Sequence, residues 1–131
     1  MGDRENFHSG APWEAVVGYS RAVRVNSFVA VSGTAPVDDK GEVVGIGDPY
    51  RQAQRCIEII EAALQQSGAG LEHVVRTRMF VTDISLWQEF AKAHREAFKD
   101  IEPSTSMVEV AQLIDPRMLI EIEADAVVDD D

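Results

Sequence analysis

The sequence predicts an α+β fold, a two-layer plait in which one mixed sheet carries two helices on one face. Three observations lead there. Strand-like and helix-like stretches alternate as strand, strand, helix, strand, helix, strand, strand. Each helix sits between strands, as a crossover does, and crossovers let the flanking strands pair in parallel. Two right-handed crossovers put both helices on the same face. At 131 residues the chain is expected to be one domain, residues 1–131, with a single core of ordinary size.

Residues 1–18 read as an N-terminal loop region punctuated by Gly and Pro, with Trp13 among them. "YSRAVRV" (19–25) and "SFVAVSG" (27–33) are strands separated by Asn26, so a hairpin or meander is expected. "TAPVDDKGEVVGIG" (34–47) is rich in Asp and Gly and reads as a turn or long loop. The first helix has the clearest boundaries. Asp48 caps it, Pro49 suits its first position and Gly68 suits a left-handed exit. Ala53, Cys56, Ile57, Ile60, Ala63 and Leu64 recur at spacings of three and four, so one apolar stripe faces a core. Cys56 lies in that stripe, which makes it a buried, inert thiol.

"HVVRTRMFVTD" (73–83) is the next strand. Ser85 with Gln88 forms a capping-box pattern that opens a second helix near residues 86–99. Leu86, Phe90, Ala93 and Ala97 make one apolar stripe; Trp87, Ala91, His94 and Phe98 make another beside it, so His94 is read as a core or interface histidine. Pro103 ends the helical region. Two strands in "EPSTSMVEVAQLIDPRMLIEIEADAVV" (102–128) and an acidic tail, Asp129–Asp131, close the chain.

The period-2 rule assigns strand residues to faces. Val108, Val110, Ile120, Ile122, Ala124 and Ala126 are assigned to the helices, with Thr77, Met79 and Val81. The other face then collects Arg76, Arg78 and Phe80, Thr105, Met107 and Glu109, and Glu121, Glu123 and Asp125. Arginines and carboxylates on neighbouring strands can pair across it. The face is too polar for a core and too apolar for solvent alone, so a second copy of the chain is expected to cover it.

Composition narrows the partners. Twelve Lys and Arg stand against 23 Asp and Glu, a formal net charge of −11. Such a molecule repels nucleic-acid phosphates and anionic membrane surfaces. No apolar run approaches the roughly 20 residues of a membrane helix, and "MGDRENFHSG" lacks the apolar core of a signal peptide. The single cysteine excludes an intrachain disulfide framework. Together these features predict a cytoplasmic protein with no nucleic-acid or membrane partner. His8, His73 and His94 are scattered, with no metal-ligand spacing, and neither a Walker loop, a dinucleotide fingerprint nor a GxSxG elbow is present.

Four blocks, "VSGTAP", "RTRMFVTDIS", "PSTSMVEVAQL" and "IEIEADAVV", come in an order and spacing that resemble the RidA (YjgF/YER057c/UK114) family. The resemblance spans about Tyr19 to Val127. It implies a chorismate-mutase-like fold and a homotrimer, with sheets packed centrally, helices outside and a ligand cleft at each subunit boundary. It also implies hydrolysis of reactive imines and enamines to keto acids and ammonia, without metal or organic cofactor. Carried over by position, the pocket tyrosine is Tyr19, the Ser-Gly pair is Ser32 and Gly33, and the pocket glutamate is Glu121.

One position departs from the family's pattern. Where the imine hydrolases carry an arginine in P-x-R-[ST], this chain has Thr105 in "PSTS". Met107 replaces a frequent Cys, and Ile114 stands where Pro is common. An arginine fork gives a carboxylate two charge-assisted bonds, whereas a threonine gives one neutral bond. Hydrogen bonds to charged groups contribute about 1.5–3 kcal/mol and neutral ones about 0.5–1.5; a loss of about 1.4 kcal/mol is tenfold in affinity.

The expected site is therefore Glu121 as the catalytic group, with Tyr19, Ser32, Gly33, Thr105 and Met107 around a small metabolite. Tyr19 either bonds a ligand or caps an interface edge, and Trp13 either closes over the cleft or packs on the sheet edge. Arg76 and Arg78 are expected in ion pairs, and Arg21 or Arg24 is a candidate for supplying the missing charge. Three readings remain: an imine or enamine hydrolase with altered substrate choice, a non-enzymatic metabolite-binding or regulatory trimer, and a ribonuclease or translation inhibitor, against which the charge argues.

Overall fold

The computed structural model describes residues 3–129. Its elements are β1 (Arg4–Phe7), α1 (Pro12–Val17), β2 (Ala22–Val25), β3 (Phe28–Thr34), α2 (Pro49–Gln66), β4 (Val74–Val81), α3 (Trp87–Phe98), β5 (Ser104–Glu109) and β6 (Ile120–Val127). Single 3₁₀ turns at Leu71–His73 and Ile84–Leu86 lead into β4 and α3.

Six strands form one mixed sheet in the order β1-β2-β3-β6-β4-β5. The pair β4 and β5 is parallel and all other neighbours are antiparallel. Helix α3 is the crossover of that parallel pair. Helix α2 joins β3 to β4, two places apart, and β6 returns antiparallel between them. The two-layer α+β architecture follows: α2 and α3 bury the apolar side of the sheet, and neither of them covers the other side.

Local signals explain α2. The Asp48 carboxylate accepts from the Arg51 amide at 3.0 Å, Pro49 occupies the first turn, and Gly68 leaves at φ +85°. All six residues of the expected stripe are buried, packing against Val29, Val31, Ile120, Ile122, Ala124 and Ala126 of the central strands. Burial pushes the Cys56 thiol far up, which keeps it inert. Gln52 is also fully buried. It donates to the carbonyls of Val44 (3.1 Å) and Arg117 (2.9 Å) and accepts from the Leu119 amide (2.7 Å), fastening two loops to the helix.

Three expectations need correction. Residues 1–18 are not a loop region, because β1 and α1 lie within them. Strand β1 is polar and pairs on one side only, against β2, so it lacks the apolar alternation that marks a half-buried strand. Next, Ser85 and Gln88 do not box the start of α3. Instead Asp83 accepts from the Ser85 amide at 3.0 Å and caps the preceding 3₁₀ turn, and α3 starts at Trp87 without a side-chain cap. The last two aspartates of the expected tail lie outside the described residues.

The third correction concerns β5. Its register sets Thr105 beside Thr77 and Met107 beside Met79, and both β4 residues are buried under the helices. Thr105 and Met107 therefore face the helix side, while Val108, 46% exposed, shares the helix-free side with Phe80. Glu109 also leaves the helix-free set, since its carboxylate accepts from the Ile84 amide at 2.8 Å. Strand β5 runs at the sheet's edge, where hydrophobicity does not report facing as it does in central strands.

The helix-free face carries the expected charge pairing. Arg78 reaches Glu123 at 3.3 Å and Asp125 at 3.1 Å. Around this pairing Phe28, Val108 and Val127 are exposed. Arg76, paired in register with Asp125, has a buried Nε without a hydrogen-bond partner among the described residues.

Candidate functional site

A β-bulge builds the first half of the site. Between Val31 and Thr34 two residues of β3, Ser32 and Gly33, oppose one residue of β6. The bulge turns the Gly33 backbone toward Glu121. A Cβ on Gly33 would collide with Glu121 Oε2 and lie 3.1 Å from Cδ, so glycine is what allows the carboxylate to rest on the strand. Glu121 stands opposite Phe80 and is half-buried. Burial pushes its pKa up; Arg21 pulls against this, Glu123 adds to it, and the net direction is upward.

The strand entry of β2 packs on the same bulge. The Ser32 hydroxyl donates to the Ser20 carbonyl at 2.7 Å, and the Ser32 amide to the Arg21 carbonyl at 3.1 Å. Arg21 Nη2 donates to the Gly33 carbonyl at 2.6 Å, and its guanidinium lies 5.8 Å from the centre of the Tyr19 ring. Arg21 is 9% exposed, with a buried Nε that has no hydrogen-bond partner among the described residues. Tyr19, Ser32, Gly33 and Glu121 are thus gathered around the bulge. In this gathering Ser32 is a fastener, its hydroxyl being engaged by backbone.

Of the two arginines considered for the missing charge, Arg21 is the one beside Glu121. Arg24 turns to the helix layer, where Nη1 donates to the Ser67 carbonyl at the end of α2 (2.9 Å) and Nε to the Asn26 carbonyl (2.8 Å). Sequence reasoning missed Glu14. This buried carboxylate takes hydrogen bonds from Ser9 and His8 and fastens residues 8–9 to α1. No spacing signal marks it, since a Glu in the first turn of a short helix is ordinary. Trp13, also on α1, is half exposed.

Thr105 and Met107 stand elsewhere. From the bulge on β3, strands β6 and β4 intervene before β5, and both side chains lie on the helix side. Met107 is partly buried against the core, whereas Thr105 is exposed. Behind Thr105 runs a hydrogen-bonded chain. The Thr77 hydroxyl donates to Thr105 Oγ1 at 2.7 Å and lies 2.8 Å from His94 Nε2. The His94 ring sits 4.7 Å from that of Phe98 at 40°, and burial pulls its pKa below the ordinary histidine value.

Among the described residues no three His, Cys, Asp or Glu side chains gather as a metal would require, and no helix is long and apolar enough to cross a membrane. What the bulge offers chemically is a half-buried carboxylate beside a guanidinium that in turn lies against the Tyr19 ring, at a position where a proton can be taken up or given.

Residues 9–128 match the family described as Endoribonuclease L-PSP. The chain belongs to it. The same family under its other name, YjgF/YER057c/UK114, includes Rv2704 of Mycobacterium tuberculosis. Its crystal structure is 48% identical with a TM-score of 0.88, over 96% of this chain and all of that one. The 3-aminoacrylate deaminase RutC of Acinetobacter baylyi is 31% identical over 79% of this chain and 82% of its own length. Escherichia coli TdcF, solved with bound serine, is 28% identical with a TM-score of 0.78, over 85% of this chain and 88% of that one. The RidA resemblance and the fold expected from it are therefore correct.

Proposed function

We propose that this family member is a homotrimer that binds a small metabolite in clefts between subunits and there hydrolyses imines or enamines that lack a carboxylate. The observation that carries the reading is the division of the site. Tyr19, Gly33 and Glu121 gather at the β3–β6 bulge, while Thr105 and Met107 stand on the edge strand β5, on the other side of the sheet. One chain cannot close both sets on a single ligand. Two copies can, one presenting its bulge and the other its β5 edge. The exposed Phe28, Val108 and Val127 of the helix-free face give such copies apolar area to bury.

In the proposed reaction Glu121 takes a proton from water as the water oxygen bonds to the imine carbon. The carboxylic acid returns that proton to the nitrogen, giving a carbinolamine. Glu121 then takes the carbinolamine hydroxyl proton and passes it to the nitrogen as the C=O bond forms and the C–N bond breaks, and a carbonyl compound and ammonia leave. A carboxylate with a raised pKa suits both halves of this exchange. The deaminase name of the A. baylyi relative supports the reaction class. Thr105 supports the substrate restriction, because a neutral hydroxyl replaces a charged fork. It also favours the second reading, a trimer that binds without chemistry.

Two measurements decide. Light scattering during chromatography should give three times the 14.4 kDa chain mass; a single-chain mass at micromolar concentration overturns the inter-subunit cleft. Ammonia release is then followed in competition with semicarbazide, for imines supplied by an amine oxidase and for 2-imino acids supplied by a dehydratase. Faster release from the first class, lost in Glu121→Ala, is expected. Thr105→Arg should raise activity on the acids. Binding with no acceleration of either class leaves the non-enzymatic trimer.

A further inference from the structure

His94, Thr77 and Thr105 form a three-membered polar chain that runs from the helix layer to the exposed edge of the sheet. Thr77 is fully buried, between Ala124 on β6 and Thr105 on β5. A hydroxyl and an imidazole in an apolar layer are costly unless each finds a partner, and here each finds the next member of the chain. A hydroxyl has one proton to give. With the Thr77 proton on Thr105 Oγ1, the contact with His94 Nε2 at 2.8 Å is one in which the ring N–H donates. The Thr105 proton then has no inward acceptor in the chain and points out from β5. Reversing any one bond reverses the others, so the ring tautomer sets the polarity of the exposed end.

We infer that His94 is a positioning residue which, through Thr77, turns the Thr105 hydroxyl outward as a donor, so that β5 receives an uncharged acceptor of the ligand, a carbonyl oxygen or an imine nitrogen. The inference rests on the reading of β5 as one wall of the ligand cleft. It differs from a merely satisfied core histidine in one respect: the surface group and the ring report on each other. Phe98 against the imidazole and the strand register at Thr77 hold the chain in line.

The test uses the whole protein with ¹⁵N-labelled histidine. In Thr105→Val the Thr77 proton loses its acceptor on β5 and is expected to turn to His94 Nε2, which moves the ring proton to Nδ1 and shifts the Nε2 resonance to the unprotonated position. Thr105→Ser should keep the wild-type ring signals, which a packing effect at that position would not single out. Two ligand probes follow, N,N-dimethylpropionamide as a neutral acceptor and propionate as its anionic counterpart. The amide is expected to move the amide signals of β5 together with the His94 ring, and to bind at least threefold more tightly than propionate. In Thr77→Val it should still reach β5, more weakly, while the His94 ring stays silent. A ring unmoved by Thr105→Val overturns the relay, even where the probes bind at β5. Probes that leave β5 unmoved overturn the reading of β5 as a ligand wall, and the ligand half of this inference with it. Tighter binding of propionate overturns the preference for an uncharged group.

Discussion

Gly33→Ala separates the seat of Glu121 from the stability of the sheet. The new methyl would collide with Glu121 Oε2 and come within 3.1 Å of Cδ, so the carboxylate must swing aside by about 1 Å. The three atoms nearest the methyl all belong to the Glu121 side chain, and Gly33 is not among the glycines with positive φ, so the backbone accepts alanine. Loss of unfolded-chain freedom stabilises the variant by about 0.4–1 kcal/mol. Pushing a side chain off its rotamer costs about 0.5–1.5 kcal/mol. The two nearly cancel, and the melting temperature should stay within roughly 4 °C of wild type. Catalysis should suffer far more, because a misplacement of about 1 Å costs on the order of 100-fold in rate, or about 2.7 kcal/mol of barrier. Thermal melting and ammonia release, measured on the same preparation, read the two effects. A ¹³C titration of the Glu121 carboxyl adds a third readout: displacement from the burial that raises its pKa should bring it back toward the ordinary glutamate value. Hydrolysis within twofold of wild type at an unchanged melting temperature would refute the idea that Glu121 works from its seat on Gly33.

The raised pKa of Glu121 also has a consequence for stability. With the folded value above the unfolded one, the stability that Glu121 contributes is fully present below the unfolded pKa and is lost as pH rises through the folded pKa. Urea unfolding of wild type and Glu121→Gln should therefore diverge from about pH 4 upward, with the glutamine variant gaining on wild type until Glu121 is ionised; parallel curves would show that burial does not disfavour the carboxylate. Val108→Glu places a charge on the exposed part of the helix-free face and should leave the circular dichroism of the chain intact while lowering the scattering mass toward 14.4 kDa. An unchanged assembly would show that β5 lies outside the subunit boundary.

How far the sequence could be read depended on whether a signal was local. Asp48, Pro49 and Gly68 mark α2 by their own chemistry, and its stripe followed from spacing alone. Face assignment held for β4 and β6, which have neighbours on both sides, and the Arg78 pairing came with it. It failed at β5, whose outer edge is unpaired and whose valine faces away from the helices. Alternation there marks two sides without saying which is which. The β3–β6 bulge has no composition signal beyond one glycine in a strand, so physics alone did not place Gly33 under Glu121; the family resemblance singled out both residues. The chain from His94 to Thr105 was out of reach, since its three members come from three elements. Only the parallel register of β4 and β5, and the rotation of α3 above them, bring them into line.

The family's ribonuclease name makes RNA the partner that most needs an argument. Non-specific RNA binding arises mainly from phosphate neutralisation by Lys and Arg with release of counterions, and sequence-tolerant binding adds aromatic platforms beside a basic groove. This chain has an acidic excess of 11 groups, which a trimer would triple. Several of its arginines are already committed to carboxylates: Arg78 to Glu123 and Asp125, Arg51 and Arg55 to Glu58, and Arg117 to Asp115. Arg21 is buried beside Glu121, and Arg24 bonds the backbone at the end of α2. To neutralise phosphates these groups would first have to give up partners inside the protein. We therefore expect no measurable affinity for single-stranded RNA at physiological salt, and no cleavage by protein freed of contaminating nuclease. Filter binding across a salt series is the check. Retention that falls steeply as salt rises would reveal a basic surface formed from the remaining cations, and would put nucleic acid ahead of the small metabolite as the ligand of this fold.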